Sequence, residues 1–185
     1  MNAKKVLGIV GMPGSGKAIA RKVAEELGYG TVVMGDVIRE EVRKRGLKAT
    51  PENLGLVMIE IRRKFGPNVV AERSVEKIKR LKQGVVVIDG IRSLEEVEFF
   101  RKIFPNLKLI AIHSSPKTRF KRLRMRGRED DPKSWDEFCE RDKRELKVGI
   151  GDAIATSDFM VVNEGTKESL RERLIEVFKE AVKDG

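Results

Sequence analysis

Gly11-Met12-Pro13-Gly14-Ser15-Gly16-Lys17 is the segment whose residue types and spacing say most about chemistry. It follows the apolar run Val6–Val10 and opens a stretch with helical spacing at Ile19, Val23 and Leu27. A glycine-rich turn between a buried strand and a helix lets backbone N–H groups point inward at a phosphate. The helix N-terminus adds partial positive charge, and Lys17 reaches the β and γ oxygens as a mobile point charge. The pattern predicts a P-loop for a nucleoside triphosphate. A guanosine-specifying Asn-Lys-x-Asp is absent, which favours ATP. One position departs from the motif. The residue after Lys17 should carry the hydroxyl that ligates Mg²⁺, and here it is Ala18, followed by Ile19. Magnesium commonly keeps several waters and one or two carboxylates, so Asp89 is the candidate metal ligand, through water.

Two further segments end where strands should end on the same rim. Gly35-Asp36-Val37-Ile38-Arg39 closes one, and Ile88-Asp89-Gly90-Ile91-Arg92-Ser93 the other. Arginines at those places can fork onto a second phosphate, so Asp36, Arg39 and Arg92 are the candidate acceptor ligands. Asp36 also reads as a helix cap, and Arg39, near Arg43 and Lys44, as part of a solvated face. Lys117 to Arg128 is basic throughout, with Arg119, Arg122 and Arg126 able to share one helix face. Arg141 and Arg144 follow at helical spacing. Phosphoryl transfer places charge on peripheral oxygens, and arginines folding over them would stabilise it and exclude water. Lys17, Asp89, Arg122, Arg126, Arg141 and Arg144 are therefore the catalytic candidates. His113, Trp135 and Cys139 read as packing residues.

The elements needed to position these groups alternate along the chain. Strands are predicted at Val6–Val10, Thr31–Met34, Val85–Ile88, Leu107–Ile112 and Phe159–Val162. Val85–Ile88 has no polar alternation and should be buried on both faces. Helices are predicted from Lys17 to Leu27, from Asp36 as cap to Arg45, and from Thr50-Pro51 to Phe65. Others should cover Val69–Lys82, run from a Ser93/Glu96 capping box to before Pro105, and run from Ser115-Pro116 to Arg126. Asp131-Pro132 should open another, and Thr166–Val182 should close the chain. This alternation predicts an α/β fold with a parallel five-stranded sheet and helices on both faces. Residues 1–185 should form a single domain, with 36–82 a helical acceptor-side insertion and 122–145 a lid.

Charged residues make up 37% of the 185, the net charge is +10, and Gln83 is the only glutamine. That profile resembles proteins of hot environments and suits polyanionic ligands, nucleotides or RNA. Cys139 is the only cysteine, so neither an intramolecular disulfide nor a cysteine metal cluster can form. No apolar stretch approaches the roughly 20 residues that span a bilayer. No signal peptide is evident, and the expected location is the cytoplasm.

The assembled motifs resemble the adenylate-kinase-like and dephospho-coenzyme-A-kinase-like branch of P-loop kinases. They are most similar to an archaeal group of adenylate-kinase-related proteins. The resemblance rests on Gly-Met-Pro-Gly-Ser-Gly-Lys, Met-Gly-Asp-Val-Ile-Arg-Glu-Glu, Asp-Gly-Ile-Arg-Ser, Arg-Gly-Arg-Glu-Asp-Asp and Val-Asn-Glu-Gly-Thr, which together cover nearly the whole chain. It implies that Arg39, in Gly-Asp-x-x-Arg, holds the acceptor phosphate. Arg92 falls one position earlier than the corresponding arginine of adenylate kinases. Those enzymes have glycine where Ala18 stands and threonine where Ile19 stands. Arg-Glu-Asp-Asp with Arg141 and Arg144 resembles a shortened lid, and Asn163-Glu164-Gly165 a loop that contacts adenine. Ser157-Asp158-Phe159 through Asn163 is similar to dephospho-coenzyme A kinases. The expected activity is transfer of the γ-phosphoryl of ATP to a nucleotide or nucleotide-like acceptor, with dephospho-coenzyme A as one alternative acceptor. The other alternative is an ATP-dependent RNA- or ribosome-associated factor.

Overall fold

A computed structural model describes residues 4–66, 68–128 and 131–183. Its sheet has the strands β1 (Lys5–Val10), β2 (Gly30–Val33), β3 (Val85–Asp89), β4 (Lys108–His113) and β5 (Phe159–Val162). All are parallel, in the spatial order β2-β3-β1-β4-β5. The order reverses around β1, which lies between β3 and β4, and the crevice at such a switch point is where ligands sit on parallel sheets. Register lines up the carboxyl ends: Ile9 faces Asp89, Val33 faces Asp89, and Val10 faces Ala111. Three segments marked by their chemistry in the sequence thus leave the sheet along one rim.

The central strands are buried on both faces, because their apolar residues divide between two cores. Val6, Val10, Val86, Ile88, Leu109 and Ala111 face one cluster, whereas Leu7, Ile9, Val87, Ile110 and Ile112 face the other. The second core is closed by α1 (Lys17–Glu26) and α9 (Lys167–Lys183), through Ala20, Val23, Leu170, Leu174 and Phe178. The first is covered by α2 (Met34–Lys44), α3 (Pro51–Phe65), α4 (Val69–Arg80), α5 (Leu94–Ile103) and α8 (Ile150–Ala155). Residues of α2, α3 and α4, among them Val42, Ile61 and Ile78, belong to the same apolar cluster as β3. Burial of each such side chain stabilises the fold by about 1.5–3 kcal/mol, so these helices are fastened to the sheet. The remaining helices are α6 (Pro116–Arg126) and α7 (Trp135–Val148). They meet through Phe120, Trp135 and Phe138, whose ring centroids lie 5.1–5.5 Å apart. No helix among the described residues is long and apolar enough to cross a membrane.

Several local rules act as expected. Thr50 Oγ1 accepts from Asn53 N at 3.3 Å, with Pro51 at the start of α3. Ser93 Oγ accepts from Glu96 N at 3.2 Å. The reciprocal half of that capping box differs, since Glu96 takes the N–H of Arg92 instead, at 2.9 Å, and pairs with Arg62 of α3 at 3.2 Å. Three expectations are corrected. Met34 belongs to α2 and not to β2, and Val33 is the N-cap, so Asp36 does not cap this helix but lies in its first turn. α7 starts at Trp135 with Ser134 as its cap, because Asp131 is engaged by Arg126 instead of capping a helix. The short α8 was not foreseen; six residues are too few to show a helical period. Pro67, Glu129 and Asp130 lie outside the described residues.

Candidate active site

The P-loop connects β1 to α1 at the switch point. Gly14 has φ +84° and Gly16 φ +118°, conformations that side-chain-bearing residues rarely adopt. Close approach matters equally: a Cβ on Gly16 would meet Asn163 Nδ2 at 2.5 Å and Leu170 Cδ2 at 2.9 Å. The loop carbonyls turn outward onto protein donors. Lys17 Nζ donates to the carbonyls of Gly11 and Met12, the latter at 3.2 Å. Arg119 NH1 donates to Pro13 O at 3.3 Å, and Asn163 Nδ2 to Ser15 O at 2.7 Å. With the carbonyls outside, the N–H groups of Gly14, Gly16, Lys17 and Ala18 have no protein acceptor among the described residues. Ser15 Oγ is buried and also lacks a partner. Orphaned donors at a helix N-terminus, beside a lysine, are what a phosphate group would satisfy.

Behind the loop lies a layer of arginine, Arg119 and Arg122, distinct from the lid that the basic run of the sequence suggests. Arg119 is 3% exposed and forms a fork with Asp142 of α7, at 2.9 and 2.5 Å. Its Nε donates to Ser114 O at 3.1 Å, and its guanidinium lies 4.9 Å from the Phe138 ring centre. Arg122 donates to Ser114 Oγ at 2.9 Å, Asn163 O at 3.2 Å and Asn163 Oδ1 at 3.2 Å. Asn163 is buried, with both ends of its amide engaged, so its side chain braces Ser15 and Arg122. Gly165 is exposed in the turn after β5. Next to it Glu164 accepts from Thr118 Oγ1 at 2.6 Å and from the Ser115 N–H. Those bonds hold its carboxyl below the usual glutamate range and tie the β5–α9 turn to the start of α6.

Lys17 marks where the charged groups converge. Burial of its ammonium lowers its pKa from 10.5 to about 8; Asp89 and Glu145 oppose this, while Arg92 and Arg141 reinforce it. The end of β3, the loop after it and the inner face of α7 therefore act on the P-loop lysine. Arg92 is an exposed residue whose NH1 lies 3.3 Å from Glu145 Oε1. Glu145 has a side chain only 13% exposed. It was missed in the sequence, although it sits four residues after Arg141, the spacing that puts two residues on one helix face. Asp36 and Arg39 pair with each other at 2.8 Å and are both half-exposed. Arg126 forks onto Asp131, which Arg141 also approaches at 3.5 Å. Burial works against the Asp131 carboxylate, yet the Arg126 bonds, the Arg128 N–H and the charge of Arg141 prevail and keep its pKa below normal. The Arg144 side chain is exposed and forms no hydrogen bond or ion pair among the described residues.

For Mg²⁺ the donor set is thin. No group of three or more His, Cys, Asp or Glu side chains gathers to hold a metal among the described residues. Asp89 is 8% exposed at the tip of β3, and Ala18, exposed at the start of α1, offers no oxygen. One carboxylate beside a phosphate cradle fits an ion whose other ligands are phosphates and water. Asp89 would hold it, and the ion would neutralise charge on the β and γ oxygens.

Comparison with known proteins bears on the family and the fold. Residues 10–139 match the family described as AAA domain. The chain is 46% identical over 180 residues to a UPF0200 protein of Methanothermobacter thermautotrophicus, covering 97% of this chain and 92% of the relative. It is 51% identical over 173 residues to a UPF0200 protein of Thermococcus onnurineus, covering 91% and 94%. Among solved structures it is similar to TT1252 from Thermus thermophilus, with a TM-score of 0.64 at 17% identity over 97% of this chain and 98% of that one. A shikimate kinase from Acinetobacter baumannii, in complex with shikimate, aligns with a TM-score of 0.60 at 14% identity over 96% and 94%. These likenesses show the fold, that of P-loop kinases.

Proposed function

The chain belongs to the UPF0200 family and has a P-loop kinase-like fold, and from that premise we propose that it is a kinase moving the γ-phosphoryl of ATP to a nucleotide or nucleotide-like acceptor. The observation that carries the proposal is the loop at Gly11–Lys17. Its carbonyls accept from protein donors, the N–H groups of Gly14, Gly16 and Lys17 have no acceptor among the described residues, and its lysine lies amid the charges of Asp89, Arg92, Glu145 and Arg141. Backbone amides would hold the β-phosphate, Lys17 would bridge to the γ-phosphate, and Asp89 would face the metal. Arg126 and Arg141, gathered by Asp131, would meet the transferring phosphoryl from above, with Arg144 at the open side. Asp36, Arg39 and Arg92 would line the acceptor side. Arg122 and Asn163 support the loop from behind, and their roles toward ATP would be exerted through it.

A second reading concerns the attacking atom. Glu145 places a largely buried carboxylate in the cleft beside Arg92. Its charge repels a phosphate acceptor, whereas an alcohol acceptor gains a group that can orient its hydroxyl and take the proton. Of the alternatives foreseen, dephospho-coenzyme A is the one with an alcohol to phosphorylate. A screen of ATP consumption against nucleoside monophosphates and dephospho-coenzyme A, with and without RNA, tests both readings. Turnover only with monophosphates supports the first, and turnover only with the alcohol supports the second. ATP consumption driven by RNA alone would overturn both.

A further inference from the structure

In P-loop enzymes of the usual pattern, the residue after the lysine supplies a hydroxyl to Mg²⁺, and a carboxylate at a strand end lies beside it. Here Ala18 leaves that hydroxyl out, yet Asp89 is 8% exposed, and a buried carboxylate calls for a hydrogen-bond donor. Its only side-chain partner among the described residues is Arg21, whose NH1 lies 3.5 Å from Asp89 Oδ2. Arg21 is three residues beyond Ala18 and four beyond Lys17 on α1. Residues three and four apart on a helix are neighbours on one face, so Arg21 shares the face of α1 that carries Lys17 and Ala18. On its other side Arg21 Nε is 4.0 Å from Glu25, and Glu25 accepts from Thr31 Oγ1 at 3.2 Å, so the arginine is suspended between two carboxylates.

We infer that Arg21 is a positioning residue: where the P-loop lacks its metal-binding hydroxyl, it holds the Asp89 carboxylate on the rim and sets a fixed positive charge beside the metal position. The inference rests on the nucleotide reading above. A guanidinium within hydrogen-bonding reach of the one metal carboxylate opposes a divalent cation, as like charges do. Mg²⁺ therefore gains little from the protein and enters as a partner of the ATP phosphates. The departure at Ala18 and the ion pair at Asp89 are then one adaptation, in which part of the metal's electrostatic work passes to an arginine.

The test is calorimetric titration of the full chain with ATP, in chelator and over a series of Mg²⁺ concentrations, for wild type, Arg21→Gln, Arg21→Lys and Ala18→Ser. Wild type is expected to bind ATP in chelator and to gain no more than about threefold from Mg²⁺. In Arg21→Gln, removal of the unit charge next to Asp89 should raise the gain from Mg²⁺ by about tenfold. Arg21→Lys keeps the charge and should behave as wild type, and Ala18→Ser should raise the Mg²⁺ gain by adding a ligand. Thermal melts identify any variant that fails to fold, in which case Arg21→Lys and Ala18→Ser carry the decision. An Mg²⁺ gain in Arg21→Gln equal to that of wild type overturns the inference, as does a wild type that binds ATP only with metal. Absence of ATP binding by folded wild type under every condition refutes the nucleotide reading instead.

Discussion

Removing the guanidinium of Arg119 should loosen the P-loop and destabilise the whole domain. The side chain is 3% exposed and holds three separate pieces: Asp142 on α7, the Ser114 carbonyl after β4, and the Pro13 carbonyl within the loop. Breaking one partner of a buried ion pair costs roughly 3–5 kcal/mol, because the other charge is left without compensation. The Asp142 side chain is 15% exposed and can recover some hydration, which places Arg119→Ala near the lower end, about 3 kcal/mol. In a domain of this size each kcal/mol shifts the melting temperature by roughly 2–4 °C, so a fall of about 6–12 °C is expected. Urea unfolding of wild type, Arg119→Ala, Asp142→Ala and the double variant isolates the pair. The coupling energy should be at least about 1.5 kcal/mol, as for a charged hydrogen bond. A coupling below about 0.5 kcal/mol, the level of independent sites, would refute the view that this fork fastens α7 to the P-loop.

Lys17→Met should abolish measurable ATP binding in calorimetry while the fold survives. Because the folded pKa of Lys17 is about 8 against an ordinary 10.5, the native state binds fewer protons than the unfolded chain between these values, and wild-type stability contributed by this group rises across that window. The variant should accordingly be the more stable protein below pH 8, by up to about 3 kcal/mol, with the advantage fading toward pH 10.5. A phosphate binds the charged lysine, so ATP affinity of the wild type should fall as pH rises through about 8; a flat profile from pH 7 to 9 would contradict the placement. Gly16→Ala should weaken ATP binding by at least about tenfold, about 1.4 kcal/mol, because its Cβ meets Asn163 and its φ of +118° is strained. Arg92→Lys keeps charge but loses the guanidinium fork and should raise acceptor KM or lower turnover by roughly ten- to a hundredfold, with ATP affinity nearly unchanged. Weakened ATP with an untouched acceptor would place Arg92 on the donor side.

Much of the molecule was open to reading from residues alone, for reasons that are local. The P-loop is contiguous, so glycine, lysine and spacing suffice to recognise it. The strand β3 was identified because four β-branched residues in succession have one plausible fate. Thr50-Pro51 and Ser93 announce helix starts through bonds that span three residues. The rim also followed, since parallel strands must end together once helices cross between them. The helix starts at Met34 and Trp135 differ from the expected ones because each aspartate that could cap binds an arginine instead, Asp36 binding Arg39 and Asp131 binding Arg126.

What tertiary structure alone decided is how the charges are paired. The basic run of α6 looks uniform in sequence, yet Arg119 and Arg122 turn behind the P-loop, whereas Arg126 turns toward Asp131. Arg126 finds its partner five residues on, but what sets Arg119 and Arg122 apart is carried by distant elements, Asp142 on α7 and Asn163 after β5. Glu145 and Arg21 went unnoticed for the same reason, as an acidic residue on a charged helix and a basic one on a P-loop helix are common surface features. Their meaning comes from facing Arg92 and Asp89 across the cleft. Covalent spacing sets which residues share a turn or a strand, but a charge in a protein is defined by what lies within a few ångströms of it, and only the packed sheet and helices bring those neighbours together.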